Sequence, residues 1–337
     1  RDGRTTTMNL CIFIGLMTIL APITGDVELQ EIKVVACSDS IAYVVNLVPP
    51  HVDTLRLGFE VTKMRWEHNT LYVMGDSLYR WDSTGVAGLM EWRDDFIDIL
   101  VQPPDVWVLS RYSIRNVDRT KKLPIEGGIK LMRDKLTNRL YVLDNEGVYI
   151  ITPELQVTAS PTLSGAHDMY VTPYGSKLYV LGDNTLYVWR LIEDKWQNIR
   201  IGEYDGLAML PDGTKLYVWS REGKLLVLDM LEDRIVGDYG LPISIKEVKP
   251  STDSHKLLII GAEKVMIWDT KKDVELKLLP LSVDGGIFLP NSLWVLLYGD
   301  EGLSLVSLKF YRKEYVFPLK NVHTVCVIPF DYKLGCK

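Results

Sequence analysis

Acidic residues recur at nearly regular intervals along this chain of 337 residues, each in a short polar segment between two apolar runs. Seven such residues form the series: Asp39, Asp76, Glu146, Asp183, Glu222, Glu263 and Asp300. Carboxylates gathered on one surface attract cations or a basic protein partner. Asp also favours turns for conformational reasons alone, whereas Glu has little turn preference. The series therefore predicts either an acidic binding rim or plain turn propensity, and Arg111 interrupts it.

Residue patterns for catalysis or metal binding are absent from the sequence. It contains five His without the H-E-x-x-H spacing and four Cys without a C-x-x-C pair. It also lacks G-x-S-x-G, the P-loop pattern and G-x-G-x-x-G. We therefore predict no catalytic residues, no metal site and no cofactor. Enzymes can also assemble their sites from loops that are far apart in the sequence, so an enzyme stays open as an alternative.

The overall charge excludes one class of partner. The chain has 38 Lys and Arg against 44 Asp and Glu, a net charge of −6, so it offers no positive field to nucleic-acid phosphates. The hydrophobic fraction of 47% is that of a globular protein. Only four Gln and ten Asn occur, and scarce amides are typical of thermophilic proteins.

Residues 8–23 form an uncharged apolar run near the N-terminus. Its length suits the hydrophobic region of a secretory signal better than a full membrane span, which needs about 20 residues. We expect residues 1–25 to be a cleaved signal peptide or a retained membrane anchor. A buried segment of the fold is the alternative. Either export reading places the protein outside the cell, at the cell surface or in a periplasm, with membrane contact only through residues 8–23.

A repeat of about 37 residues runs through the rest of the chain. Each unit has two short apolar runs around a tight polar turn, followed by a weaker third run and a small-residue segment. The runs are rich in Leu, Tyr, Val, Trp and Ile, which favour strands. Eight units begin at Lys33, Thr70, Asp105, Arg139, Lys177, Lys215, Lys256 and Ser292.

Four antiparallel strands per repeat are typical of the blade of a β-propeller. The repeat therefore predicts an all-β fold, with residues 26–337 forming one propeller of eight four-stranded blades. Seven blades is the alternative. The segments TPYGSKLYV and LPDGTKLYVWSREGKLLVLD resemble the YVTN-type repeat. The second apolar runs of several units end like WD repeats, and there an Asp or Asn side chain should cap the next turn: Asn46, Asp82, Asp118, Asp229 and Asp269.

The two ends of the chain should close the ring. The first recognisable strand, 33–37, corresponds to the second strand of a blade, while 322–331 aligns with an innermost strand. The C-terminal strand should therefore complete the N-terminal blade and remove the open edges. In this register Cys326 falls opposite Val35 and Cys37 opposite Thr324. A disulfide between Cys37 and Cys326 is one outcome, Cys336 is the competing partner, and two buried thiols are the other outcome.

The innermost strands begin with mixed polar residues: Lys63, Asp98, Lys130, Asp168, Lys246 and Thr324. They could bind a small ligand in the central channel, or compensate one another around a water-filled shaft. His167 and His323 occupy equivalent places in the fifth and first blades, too far apart to share one metal ion.

These features favour a non-catalytic propeller at the cell surface or secreted, acting as a protein-binding or assembly scaffold. The enzymatic alternative is a hydrolase or lactonase with a metal near the channel. A periplasmic factor for membrane-protein assembly is a third hypothesis.

Overall fold

The structure is a computed structural model that describes residue 29 and residues 32–67, 70–91, 96–102, 105–117, 122–134, 136–153 and 156–329. Residues 1–25 lie outside this part of the chain, so the expectations for a signal peptide or anchor stay predictions. Within it, no helix is both long and apolar enough to cross a membrane.

Thirty-two strands of the described residues form eight antiparallel sheets of four strands each. We call each sheet a blade and its strands A, B, C and D from the ring axis outward. The strands of blades 1 to 4 are, in that order, β32 (Thr324–Pro329), β1 (Ile32–Ser38), β2 (Ile41–Asn46), β3 (His51–Arg56); β4 (Lys63–Glu67), β5 (Thr70–Met74), β6 (Ser77–Asp82), β7 (Gly85–Glu91); β8 (Phe96–Gln102), β9 (Asp105–Ser110), β10 (Ser113–Asn116), β11 (Lys122–Pro124); β12 (Lys130–Arg133), β13 (Leu140–Leu143), β14 (Val148–Ile151), β15 (Val157–Ala159).

Blades 5 to 8 follow the same order without exception. Their strands are β16 (Asp168–Val171), β17 (Lys177–Leu181), β18 (Thr185–Arg190), β19 (Lys195–Arg200); β20 (Gly206–Met209), β21 (Lys215–Trp219), β22 (Lys224–Asp229), β23 (Arg234–Gly240); β24 (Ile245–Pro250), β25 (Lys256–Gly261), β26 (Val265–Asp269), β27 (Val274–Leu279); β28 (Gly285–Phe288), β29 (Trp294–Gly299), β30 (Gly302–Ser307), β31 (Arg312–Phe317). The prediction of an eight-bladed propeller is confirmed, and the seven-bladed alternative is wrong.

The ring closes within blade 1. The C-terminal strand β32 pairs with β1 from the other end of the chain, as predicted. The register also agrees, because Val35 faces Cys326 and Cys37 faces Thr324. Closure pairs the two chain ends inside one sheet, so no blade is left with an open inner edge.

Burial follows the position of a strand in its blade. The B strands are nearly continuous apolar runs, and all four residues of β13 are buried, because both faces of a blade pack on its neighbours. The D strands face solvent on the outer edge, and all three residues of β15 are exposed. Among the described residues, eight apolar clusters each join two consecutive blades. The core is therefore a ring of interfaces between blades.

Antiparallel strands alternate direction, so a blade presents its turns at two opposite faces of the disk. The B–C turns and the D–A connections to the next blade lie on one face, which we call the B–C face. The A–B and C–D turns lie on the other, the A–B face.

The predicted turn caps are confirmed at three positions. Asp82 accepts a hydrogen bond from Thr84 N, Asp229 from Leu231 N, and Asp269 from Lys271 N, at 2.8, 2.9 and 2.9 Å. These bonds stabilise the C–D turns. The prediction is wrong for Asn46, whose Oδ1 is buried without a hydrogen-bond partner, and Asp118 lies outside the described residues.

Candidate functional site: the B–C face and the channel mouth

The seven acidic residues of the sequence pattern lie on one face of the molecule. Each occupies the B–C turn of its own blade and is exposed, and Arg111 takes this place in blade 3. Within the described chain, only Glu222 of the seven has an ion-pair partner, Lys224 at 3.1 Å. Asp76 accepts a hydrogen bond from the Tyr79 hydroxyl at 2.9 Å. Most of these carboxylates are therefore not neutralised by a neighbouring cation.

The turns themselves do not need the acidic side chain in two blades. In blade 4, Asp144 accepts the backbone N–H groups of Glu146 and Gly147 at 2.9 and 3.0 Å, so Asp144 holds the turn. In blade 6, Ser220 Oγ accepts the Lys224 N–H, and Glu222 is free of the turn's hydrogen bonding. Asp39 differs, because its φ of 47° is a conformation that Asp tolerates. Turn propensity accounts for Asp39 but not for Glu146 and Glu222.

The D–A connections add further acidic residues to this face. In its described turns and connections, fourteen Asp and Glu stand against four Lys and Arg. The acidic residues are Asp39, Glu60, Asp76, Glu126, Asp144, Glu146, Asp183, Glu203, Asp205, Glu222, Glu263, Asp284, Asp300 and Glu301, and the basic ones are Arg111, Arg221, Lys264 and Lys320. The face therefore projects a negative potential.

Charged side chains also surround the mouth of the channel at this face. Lys63 Nζ lies 2.6 Å from Asp98 Oδ1, and Lys130 Nζ lies 2.7 Å from Asp168 Oδ1. The second oxygen of Asp168 accepts the Leu207 N–H at 2.8 Å. Each Lys–Asp pair bridges two neighbouring blades, and Asp168 links a third. The charges of these Lys and Asp residues neutralise one another in pairs. This agrees with the hypothesis that the polar residues of the channel compensate one another.

The prediction of channel residues is wrong for Lys246. A register shift between Ile245 and Glu247 pairs Glu247 with Ile260, the place that Asp168 takes opposite Leu181 in blade 5. Lys246 is thereby displaced from the ring, and Glu247 pairs with Lys249 at 3.0 Å. A bulge inserts one extra residue into a strand, which the repeat alone does not reveal.

Two blades contribute only glycine at the mouth, Gly206 and Gly285. A Cβ on Gly206 would lie 2.5 Å from the Trp219 ring, and one on Gly285 would lie 2.3 Å from the Tyr298 hydroxyl oxygen. Burial raises the pKa of Tyr298 to about 12, with Glu247 acting in the same direction. The phenol is therefore a neutral hydrogen-bonding group at physiological pH.

The two histidines hold neighbouring blades together. His167 Nε2 lies 3.1 Å from the Tyr204 carbonyl oxygen, and His323 Nε2 lies 2.5 Å from that of Val61. Tyr204 and Val61 both stand two residues before the A strand of the next blade. Among the described residues, no three His, Cys, Asp or Glu side chains are grouped so that they could hold a metal ion.

Cys37 and Cys326 are both buried and carry free thiols in this structure. Cys37 Sγ lies 3.4 Å from Met64 Sδ in the cluster between blades 1 and 2. Burial raises the pKa of the Cys37 thiol to about 12 and that of Cys326 to about 11. Cys336 lies outside the described residues.

A polar contact that the repeat did not predict joins successive blades on the A–B face. Lys177 and Tyr179 of blade 5 bind Asp233 in the C–D turn of blade 6 at 2.8 and 2.7 Å. Lys215 and Tyr217 of blade 6 bind Asp273 in the corresponding turn of blade 7 at 2.5 and 2.9 Å. The signal in the sequence is the Lys-x-Tyr at the start of these two B strands, whose Lys and Tyr reach the next blade.

Comparisons with known proteins identify the fold. No protein-family model and no curated protein matches the chain. The solved structure of apo AztD from Citrobacter koseri matches with a TM-score of 0.68 and 8% identity, covering 89% of this chain and 97% of that one. A functionally unknown protein from Desulfotomaculum acetoxidans DSM 771 matches with a TM-score of 0.54 and 11% identity, covering 73% and 95%. At such identities the likeness is one of fold alone.

Proposed function

We propose that the protein is a non-catalytic binding propeller whose B–C face takes up a basic protein partner. The observation that carries this proposal is the set of exposed turn carboxylates, of which Glu146 and Glu222 have no role in holding their turns. An excess of acid on one face attracts and orients a basic partner over a distance set by the ionic strength. The blades are of the YVTN type, on the resemblance of their strand and turn residues.

The location proposed for this activity is outside the cytoplasm, at a cell surface or in a periplasm. The apolar run 8–23 supports it, since export signals and anchors have that composition. A basic protein in the same compartment would then have access to the B–C face.

The test replaces three carboxylates with their neutral amides: Asp76→Asn, Asp183→Asn and Glu222→Gln. The matched control removes three negative charges elsewhere, with Glu193→Gln, Glu232→Gln and Glu275→Gln. Proteins cross-linked to each form in the native cell envelope are identified, and the binding of each purified candidate is measured at low and high salt. We expect the triple variant on the B–C face to lose both affinity and salt dependence, while the control keeps them.

Equal binding by both triple variants would contradict the proposal and leave turn propensity as the explanation of the acidic series. Circular dichroism of both variants checks that the fold is retained, which we expect because all six positions are exposed.

A further inference from the structure

The two faces of the propeller differ in the exposed apolar residues of their turns. Among the described residues, six large hydrophobic side chains stand exposed on the A–B face: Leu136, Tyr174, Ile192, Leu231, Leu293 and Phe310. In the described turns and connections of the B–C face, Tyr112 is the one large hydrophobic residue exposed in this way. Ile192 and Leu231, at the tips of consecutive C–D turns, are 85% and 86% exposed. Single exposed hydrophobic residues are ordinary on a protein, but four of these six lie in the consecutive blades 4, 5 and 6 and two in blade 8, all at turns of the same face.

The charges of the A–B face are arranged differently from those of the B–C face. Glu193 pairs with Lys195 at 3.3 Å, and Glu232 pairs with Arg234 at 2.5 Å. Asp233 and Asp273 are bound by the lysines of the preceding blade. The acids of these turns are therefore largely compensated by cations of the protein itself.

Exposed cations stand at the C–D turns of blades 7 and 8, on the same face as the apolar tips. Lys309 Nζ lies 5.3 Å from the centroid of the Phe310 ring. Lys271 and Lys272 are exposed at the tip of the C–D turn of blade 7. Aromatic side chains next to lysines are typical of surfaces that lie at the boundary between lipid headgroups and acyl chains.

The N-terminal part of the chain enters the propeller on this same face. Strand β1 runs from Ile32 to the B–C turn at Asp39, so its first residue lies at the A–B face. Leu29 is fully buried in the cluster between blades 8 and 1 and holds the chain there. Only residues 24–28 separate Leu29 from the apolar run 8–23. Even fully extended, this connection spans about 20 Å.

We propose that the A–B face rests on a lipid bilayer, with Ile192, Leu231 and Phe310 at the level of the headgroups and the B–C face turned toward the solution. The apolar run 8–23 supports this orientation, because a retained anchor of that composition would hold the A–B face within reach of the bilayer through its short connection. The uncompensated acid of the B–C face is repelled by anionic lipids, which favours the same orientation. The proposal goes beyond partner binding, since it assigns a second surface to a second occupant.

The experiment places an environment-sensitive NBD fluorophore on either face of the full chain. Cys11→Ser and Cys336→Ser leave only the buried thiols of Cys37 and Cys326, and Leu231→Cys or Asp183→Cys then adds one exposed site. Both forms are reconstituted with vesicles of phosphatidylcholine and phosphatidylglycerol. We expect the emission of the Leu231→Cys form to shift to shorter wavelength and to be quenched by spin-labelled lipid, with no change for the Asp183→Cys form.

A second set of variants tests the apolar tips themselves. A reporter at Tyr174→Cys should lose most of its shift when Ile192→Ser and Leu231→Ser are added, and should keep it with Glu193→Gln and Glu232→Gln. Flotation with vesicles but no shift at Leu231→Cys would overturn the proposal, because the segment 8–23 would then tether a propeller that does not touch the lipid. A shift that occurs without vesicles and grows with protein concentration would also overturn it, and would identify a second copy of the chain as the occupant of this face.

Discussion

At the scale of single residues, the Lys-x-Tyr pairs of blades 5 and 6 have the clearest energetic role. The Asp233 carboxylate is fully buried and is bound by Lys177, Tyr179 and Arg190. A buried carboxylate is stabilised only when hydrogen bonds and cations replace its lost hydration. This contact fixes the C–D turn of one blade to the B strand of the blade before it.

Replacing this carboxylate should destabilise the whole protein. We expect Asp233→Asn to lower the free energy of unfolding by about 3 kcal/mol, toward the low end for a broken buried ion pair because Lys177 and Arg190 can regain water. Urea unfolding followed by tryptophan fluorescence measures the difference. Glu193→Gln, an exposed acid in the neighbouring C–D turn, should change the stability by less than about 0.5 kcal/mol. Equal effects of the two variants would contradict the role given to Asp233.

The same carboxylate predicts a pH dependence. Burial raises the pKa of Asp233, but the hydrogen bonds from Lys177, Tyr179 and Arg190 outweigh it, and the net pKa lies below its usual value. A lowered pKa in the folded state stabilises the protein above the pKa of the unfolded chain and stops doing so as the pH falls through the folded value. The stability difference between the wild type and Asp233→Asn should therefore be constant near neutral pH and shrink as the pH falls below about 4. A difference that stays constant in acid would exclude this titration.

At the scale of strands and turns, the pairing of β32 with β1 decides how the ring is closed. It places Cys37 and Cys326 on adjacent strands, two residues away from a direct pair. Both thiols are buried among apolar side chains of blades 1 and 2. They act there as small hydrophobic residues rather than as reactive groups.

Thiol chemistry checks this arrangement. With Cys11→Ser and Cys336→Ser, we expect a thiol reagent at pH 8 to modify neither remaining cysteine in the folded protein and both after denaturation, because their pKa values of about 12 and about 11 leave almost no thiolate. Thermal melts with and without reductant should coincide. A melting temperature that falls in reductant would instead reveal the disulfide between Cys37 and Cys326.

At the scale of the whole molecule, the propeller is a disk with two unlike faces around a channel of paired charges. The acid of the B–C face and the apolar tips of the A–B face come from different turns of the same blades. One fold thus carries an acidic face, for which we propose a basic partner, and on the opposite side a face with apolar tips, for which we propose lipid.

The channel offers a test that separates a binding propeller from a metal-dependent hydrolase. Asp98 and Asp168 already bind Lys63 and Lys130, so a divalent cation would have to displace a lysine. We expect the melting temperature to be the same with EDTA, calcium or zinc. A ligand that binds only the folded state raises the melting temperature by mass action, so a clear rise with one metal would support the enzymatic alternative.

Much of this architecture was determined by the sequence itself. The repeat, of which 177–190 is one copy, encodes paired strands through local apolar runs. Turn residues such as Asp82 and Asp229 bind backbone N–H groups only two residues further along the chain. The register of Cys326 opposite Val35 also followed, because the last segment aligns with the inner strand of every other blade. Such features depend on short-range hydrogen bonding and on the period of the hydrophobic residues.

Only the tertiary structure decided which residues of different blades meet. Lys177 and Asp233 are 56 residues apart, and their contact depends on how two blades are placed against each other. The bulge that brings Glu247 rather than Lys246 to the channel mouth arises from a register shift within one sheet. The division into an acidic and an apolar face likewise depends on strand direction, since antiparallel order sends alternate turns to opposite sides of the disk.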